Sequence, residues 1–429
     1  MTTVPDVAEA QRHTVRTLMT TQAIGGIGLS AAIAVGALLA KEVTGSDQLS
    51  GLAQTAQTLG AAVVAAVLAA YMSRHGRRPG LTLGYLAGAV GGGLCIVSGV
   101  AQSFAVLLAG MVLLGAVTAT NLQSRYAATD LALPEHRGRA LSTVVWATTI
   151  GSVLGPNLGG LGAVVAGWLH LPEKTGPFVF SVVALLAAAA VMGTRLRPDP
   201  LLLARSVRAQ EASDETDADG DADERPWPVI LHTPLVLLAA VGMALSHAVM
   251  VSVMVMTPIH MDHGGASLEI IGLVISGHIL GMFAFSPLVG MLVDRIGSPR
   301  VVGIGGLILL VSLVLAGLSA PGASAGLGAG LFLLGLGWSF GTVGSSTLLV
   351  AATPVRHRPR VQGTVDMTTG FTAAAGGAVA GVVVGTLGYG WLSAAAAVLA
   401  FAVVVVSVVA GRYAARARAA VEPAGQPRH

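Results

Sequence analysis

Long apolar runs separated by short polar loops fill most of this chain, and twelve of them reach the roughly 20 residues a helix needs to cross a bilayer. The first six lie near 18–40, 51–73, 81–101, 104–128, 140–168 and 177–195, and the second six near 229–257, 268–292, 301–319, 325–350, 362–386 and 389–411. The pattern predicts an all-α membrane protein with twelve transmembrane helices in two six-helix halves, 18–195 and 229–411. A polar N-terminal tail, 1–17, precedes them, and a basic tail, 412–429, follows. Between the halves, 196–228 is the one long hydrophilic insert. Its acidic run from Asp214 to Glu224 reads as a solvated linker without a core of its own.

Composition supports the hydropathy pattern. Of 429 residues 54% are hydrophobic and 10% charged, with mean hydropathy +0.76. A water-soluble domain carries about 25% charged residues, so most of this surface must face lipid. The 57 glycines suit close helix packing, because lipid tails give helices no hydrophobic reason to associate. A net charge of +3 is too small to suggest nucleic acid, and the lone cysteine, Cys95, reads as a small buried hydrophobe. The first 17 residues are polar and no cleavable leader is evident.

Basic residues set the orientation. Arg12 and Arg16 precede span 1, and Arg74, Arg77 and Arg78 follow span 2. Arg137 and Arg139 follow span 4, Arg295 and Arg300 span 8, Arg356, Arg358 and Arg360 span 10, and Arg412, Arg416 and Arg418 span 12. The opposite loops hold Lys41 and Lys174 alone. The bias places both termini in the cytoplasm. The halves also repeat weakly at an offset of 221 positions: Arg74 falls on Arg295, Gly76 on Gly297, Arg139 on Arg360 and Thr143 on Thr364.

The loop after span 2 reads Ser73-Arg74-His75-Gly76-Arg77-Arg78, and its counterpart reads Gly290 followed by Asp294-Arg295-Ile296-Gly297. In these loops the chain resembles the major facilitator superfamily, whose signature there is G-x-x-x-D-R-x-G-R-[KR]. The resemblance implies a conformational latch at Asp294, Arg295, Gly297, Arg74 and Gly76, in which an Asp at a helix end takes charge-assisted hydrogen bonds. Ser73 stands where the first loop would carry that Asp. Span 5 contains Gly151, Gly155-Pro156, Gly159 and Gly160 in the spacing G-x-x-x-G-P-x-x-G-G, which the family shows most often in drug/proton antiporters. A bend at Gly155 and Pro156 is expected, since proline removes a helical hydrogen bond.

Spans 7 and 8 are rich in soft ligands. Residues 243–291 hold seven of thirteen methionines and four of eleven histidines. Met243, His247, Met250 and Met254 recur at helical spacing on one face, and His278 and Met282 share a face of span 8. With Pro258 and Leu268 as outer ends and a rise of 1.5 Å per residue, Met250, His278 and His247 lie about 12, 15 and 16 Å deep, near the midplane. His260, Met261 and His263 stand above them as an external cluster. Thioether and imidazole groups suit Cu(I). The pairs Met250-x-x-x-Met254 and His278-x-x-x-Met282 resemble the M-x-x-x-M and H-x-x-x-M motifs of the CcoA-like copper importers.

That resemblance implies a multi-pass transporter of the bacterial plasma membrane that brings copper, as an ion or small complex, into the cytoplasm by alternating access. By the resemblance Met250, Met254, His278 and Met282 are the metal residues of first rank; helical spacing and depth add His247, Met243, His260, Met261 and His263 behind them. Copper is cargo here and no catalytic cofactor is implied. The chain shows no catalytic constellation, reads as a non-enzyme, and is expected to work as a monomer in the lipid bilayer. Asp366, Arg125 and Asp130 are candidates for proton coupling. Three other readings stay open: a proton-coupled exporter of small organic molecules, an importer of an organic nutrient such as riboflavin, and a copper-binding sensor that transports nothing.

Overall fold

The computed structural model describes residues 7–45, 47–155, 158–212, 226–266, 268–320 and 325–421, and these are almost wholly helical. Eleven helices among them are long and apolar enough to cross a membrane. The remaining expected span, 140–168, is described as two helices on either side of Gly155 and Leu158. Pro156 and Asn157 between them lie outside the described residues. All this follows from one constraint, that a backbone in hydrocarbon must satisfy its own polar groups.

The chain forms two compact units. The first comprises Met1–Glu224 with Pro354–Ala374. It holds α1 (Val7–Thr44), α2 (Asp47–His75), α3 (Arg77–Ala101), α4 (Phe104–Ala127), α5 (Arg137–Leu154), α6 (Gly159–Trp168), α7 (Gly176–Arg195) and α8 (Pro200–Ala212). The second comprises Arg225–Thr353 with Ala375–His429. It holds α9 (Pro226–His232), α10 (Pro234–His263), α11 (Leu268–Phe283), α12 (Ser286–Ile296), α13 (Ser298–Leu318), α14 (Ala325–Ala352) and α16 (Tyr389–Val421). Helix α15 (Arg358–Leu387) is shared: its first turns pack in the first unit and the rest in the second.

Helix boundaries repeat between the two halves of the sequence at the offset read from the loops. Helix α2 ends at His75 and α12 at Ile296, α3 begins at Arg77 and α13 at Ser298, and α5 begins at Arg137 and α15 at Arg358. Gly76 and Gly297 cap the paired junctions at φ +91° and +89°, a conformation a β-carbon resists.

Several boundaries differ from those the hydropathy suggested. Helix α1 begins at Val7, well before the apolar run, so much of the polar N-terminal segment is helical. Within 196–228, Pro200–Ala212 is a helix, because Asp199 Oδ1 accepts from Leu201 N (3.0 Å) and Leu202 N (3.2 Å) and caps it. The acidic run Asp214–Glu224 lies outside the described residues. Helix α10 continues through Pro258 to His263, so the segment expected as an external loop is helical. Span 8 is broken at Ala284 and Phe285, before Pro287, which lacks the N–H to continue the ladder.

Packing is close because glycines face backbone. Gly115 of α4 lies against Gln57 O and Ala61 N of α2, and Gly151 of α5 lies against Gly26 of α1. Cys95 is fully buried beside Gly110, as a small hydrophobe would be. The outward faces are apolar: Leu273, Val314, Leu318 and Val398 are among the most exposed side chains. Gly115→Ala should therefore destabilise the purified protein by about 1–3 kcal/mol through overpacking. Gly93→Ala, with nothing within 4 Å of the new methyl, should leave the melting temperature unchanged or higher. Thermal melting in detergent checks the pair.

Candidate functional site

The first unit buries charge. Arg77, at the start of α3, is fully buried, and a cation there opposes the helix dipole. Asp130, just past the end of α4, offsets it with a fork: Nε donates to Oδ2 (2.8 Å) and Nη2 to Oδ1 (3.4 Å). Arg77 Nη1 donates to Gln123 Oε1 (3.0 Å), and Nη2 to Gln362 Oε1 of α15 (2.7 Å). Gln123 passes the network on, its Nε2 donating to Asp366 Oδ2 (3.1 Å). Arg125 Nη2 closes it on Asp366 Oδ1 (2.6 Å), and Tyr126 Oη donates to the same oxygen (3.3 Å).

Gln123 and Tyr126 stand at i and i+3 on α4, with Asp130 just beyond its end, and Gln362 and Asp366 stand at i and i+4 on one face of α15. Of the three coupling candidates, Asp366 meets Arg125 while Asp130 is taken by Arg77. Arg77 was legible only as one of three basic loop residues; its partner lies 53 positions away.

The latch residues divide. Gly76 is buried, and a β-carbon there would stand 2.5 Å from Asp199 Oδ2, which also accepts from Arg78 N (2.7 Å). Arg74 and Arg295 are exposed and Asp294 is half-buried. Ser73 is buried, and its hydroxyl takes Arg360 Nε at 3.2 Å. Gly155 lies against Ser30 and Ala31 of α1, so its role in the structure is close approach. Three polar side chains within the spans hold helices together: Gln22 donates to Thr148 Oγ1 (2.9 Å), Gln57 to Thr118 Oγ1 (2.8 Å), and Asn121 Oδ1 accepts from Tyr85 Oη (3.2 Å).

The second unit buries imidazole, sulfur and hydroxyl. Helices α10 and α11 touch each other little and both pack on α14. Gly335 of α14 lies against the backbone of His278 and Met282, and Gly281 of α11 against Phe332 O. That approach lets His278 Nδ1 bond Leu331 O at 2.9 Å. A carbonyl only accepts, so Nδ1 carries the proton and Nε2 keeps its lone pair. His278 is 1% exposed and its Nε2 has no hydrogen-bond partner among the described residues.

Two turns further along α14, Trp338 Nε1 donates to His247 Nδ1 at 2.8 Å, and Phe283 meets the indole edge-on with centroids 5.7 Å apart. Met250 belongs to the apolar cluster containing Leu331, Leu334 and Trp338, with Met254 and Met282 packed against it. Met250, Met254 and Met282 thus share one cluster with α14, and His278 reaches α14 through Leu331 O. Met243 is buried. The outer trio is turned apart: Met261 is in the core, His260 stacks on Tyr389 (4.2 Å), and His263 is exposed. Among the described residues no three His, Cys, Asp or Glu side chains gather as a metal site.

Two helical units with apolar outward faces, one burying a network of charged side chains and the other imidazole and hydroxyl groups, make this a polytopic membrane protein. The chain belongs to the Major Facilitator Superfamily, whose model matches residues 18–267 and 239–428, and it is a secondary transporter. It is 36% identical over 397 residues to the MFS-type transporter YddS of Bacillus subtilis, covering 92% of this chain and 90% of that one. It is 28% identical over 387 residues to the riboflavin transporter RfnT of Brucella anthropi, covering 89% and 92%. In fold it is similar to the human organic anion transporter MFSD10, with TM-score 0.72, 17% identity and coverage of 92% and 99%. The family relation bears out the all-helical transporter fold. These relatives do not extend the likeness to the copper importers.

Breaking one side of a buried pair leaves an uncompensated charge, worth about 3–5 kcal/mol. Arg77→Met should destabilise the protein by about that much, and Arg77→Met with Asp130→Leu should recover most of it. A double-mutant cycle on thermal melting reads the difference.

Proposed function

We propose that this transporter imports a small organic nutrient built on a flat heteroaromatic ring bearing hydroxyl groups, with riboflavin as the first candidate. The observation that carries this reading is the chemistry of α14. Trp338 offers a broad ring flanked by His247 and Phe283. Following it, Ser339, Thr342, Ser345 and Ser346 are all buried, and none of their hydroxyls has a partner among the described residues. Neighbouring Thr347 instead donates back to Val343 O at 2.8 Å. Buried hydroxyls require a partner, and a polyhydroxylated solute supplies donors and acceptors. A flat ring suits stacking on an indole. The likeness to RfnT, a riboflavin transporter by name, supports the same class.

Copper uptake is the second reading. It is supported by His278, whose Nδ1 is held by a backbone carbonyl while Nε2 is left as a lone pair, the arrangement usual for a metal-binding histidine. Met282 follows on the same helical face.

Uptake of labelled riboflavin by an auxotrophic host lacking its own importer separates the two. Wild type should restore uptake. Trp338→Ala should lower it roughly 5- to 100-fold, as loss of about 1–3 kcal/mol of stacking predicts. Thr342→Val should lower it roughly 2- to 10-fold for one hydrogen bond. If riboflavin is not taken up, while cellular copper rises with expression and falls in His278→Ala and Met282→Ala at equal membrane levels, copper replaces it. No change in either solute sinks both.

A further inference from the structure

Helix α14 is held by two histidines of opposite hydrogen-bond sense, one from α11 and one from α10. His278 of α11 donates from Nδ1 to Leu331 O at 2.9 Å. His247 of α10 accepts at Nδ1 from Trp338 Nε1 at 2.8 Å. Leu331 and Trp338 are seven residues apart, two turns along one face. The difference matters because an indole N–H can only donate, and an imidazole nitrogen can accept only while it has no proton. A proton added to His278 goes to Nε2 and leaves the bond to Leu331 in place. A proton added to His247 goes to Nδ1, turns the acceptor into a donor, and sets two N–H groups against each other.

We propose that His247 is the proton-accepting residue of the second unit, and that its protonation releases Trp338 from α10 while α14 stays attached to α11. The proton comes from the aqueous phase, resides on Nδ1, and returns when the bond re-forms; no covalent bond changes. Imidazole is the side chain whose charge ordinarily changes between about pH 5 and 8, and an ionisable residue within a spanning helix is a functional site by default. His247 lies thirteen residues from Pro234 and thirteen from His260, about 20 Å from each by helical rise.

Few other titratable groups compete for this role. Helix α14 carries none, nor does the 375–387 stretch of α15. Helix α9 has His232, and α13 has Arg300 in its first turn. Helix α16 has Tyr389 at its start and Arg412, Tyr413, Arg416 and Arg418 toward its end, and α11 has Glu269 in its first turn besides His278. On α10 itself, His260, Asp262 and His263 stand in the last turn. Tyr389 is engaged by Thr257 at 2.8 Å and stacked on His260. Only His278 sits at comparable depth, and its bond to α14 survives protonation.

The reading can be tested without knowing the solute, so its failure is distinct from failure of the riboflavin reading. Trp146, Trp168, Trp227 and Trp391 are replaced by Phe, leaving Trp338 as the one indole, and its emission is followed from pH 5 to 9 in nanodiscs. The parent emission should change with pH in a single step. His247→Asn keeps an acceptor oxygen where Nδ1 was and cannot take a proton, so its emission should be flat. His278→Asn should still titrate. A titration that survives in His247→Asn, or a parent with no pH response, overturns the proposal. If His247→Asn does not fold, His247→Gln takes its place with the same two outcomes.

Discussion

The bilayer core offers a polypeptide no water, and nearly every feature of this chain answers that lack. Backbone groups can bond only within helices. Helices in lipid have no hydrophobic reason to join, so glycines such as Gly115, Gly151 and Gly335 bring backbones into direct contact. Polar side chains drawn into the bundle must then find partners within it. In the first unit Arg77, Asp130, Gln123, Asp366 and Arg125 find them in one another. In the second, the hydroxyls of Ser339, Thr342, Ser345 and Ser346 and Nε2 of His278 have no partner among the described residues.

The two units differ in the polar chemistry they bury. The two halves of the sequence share helix boundaries at a fixed offset, yet their polar chemistry does not repeat. The counterparts of Gln123, Arg125 and Asp130 at that offset are Gly344, Ser346 and Ala351. Charged pairs are strong and directional, and they fasten α3, α4 and the start of α15 into one body. Neutral hydrogen bonds are weaker and easily exchanged. They are the better material for a surface that must grip a solute and then let it go.

Much of the architecture was legible from residue order. Apolar run length marks a spanning helix whatever its neighbours are, and the paired arginine loops expose the repeat. The contacts that define the sites were not legible in the same way. Helical spacing correctly puts His278 and Met282 on one face, but it cannot say which helix that face meets. The partner of His278 is a backbone carbonyl 53 residues away, and the partner of His247 is an indole 91 residues away. Trp338 escaped notice because a lone tryptophan in an apolar run has no periodic signature. His260, Met261 and His263 looked like one cluster because they are adjacent. The continuation of α10 through Pro258 instead turns successive side chains about 100° apart, toward a stack, the core and solvent.

The paired glycines at the two loops show how a duplicated shape can drift in its safeguards. Gly76 and Gly297 adopt nearly the same backbone conformation, one that side chains with a β-carbon resist. At Gly297 that torsional preference is the whole barrier, since nothing lies within 4 Å of an added carbon. At Gly76 the Asp199 carboxylate adds a steric one. A replacement in the later loop can be absorbed by a local twist of the chain, whereas in the earlier loop the same twist would also have to dislodge the cap of α8. Sequence change should be tolerated unequally at two positions that ancestry made equal.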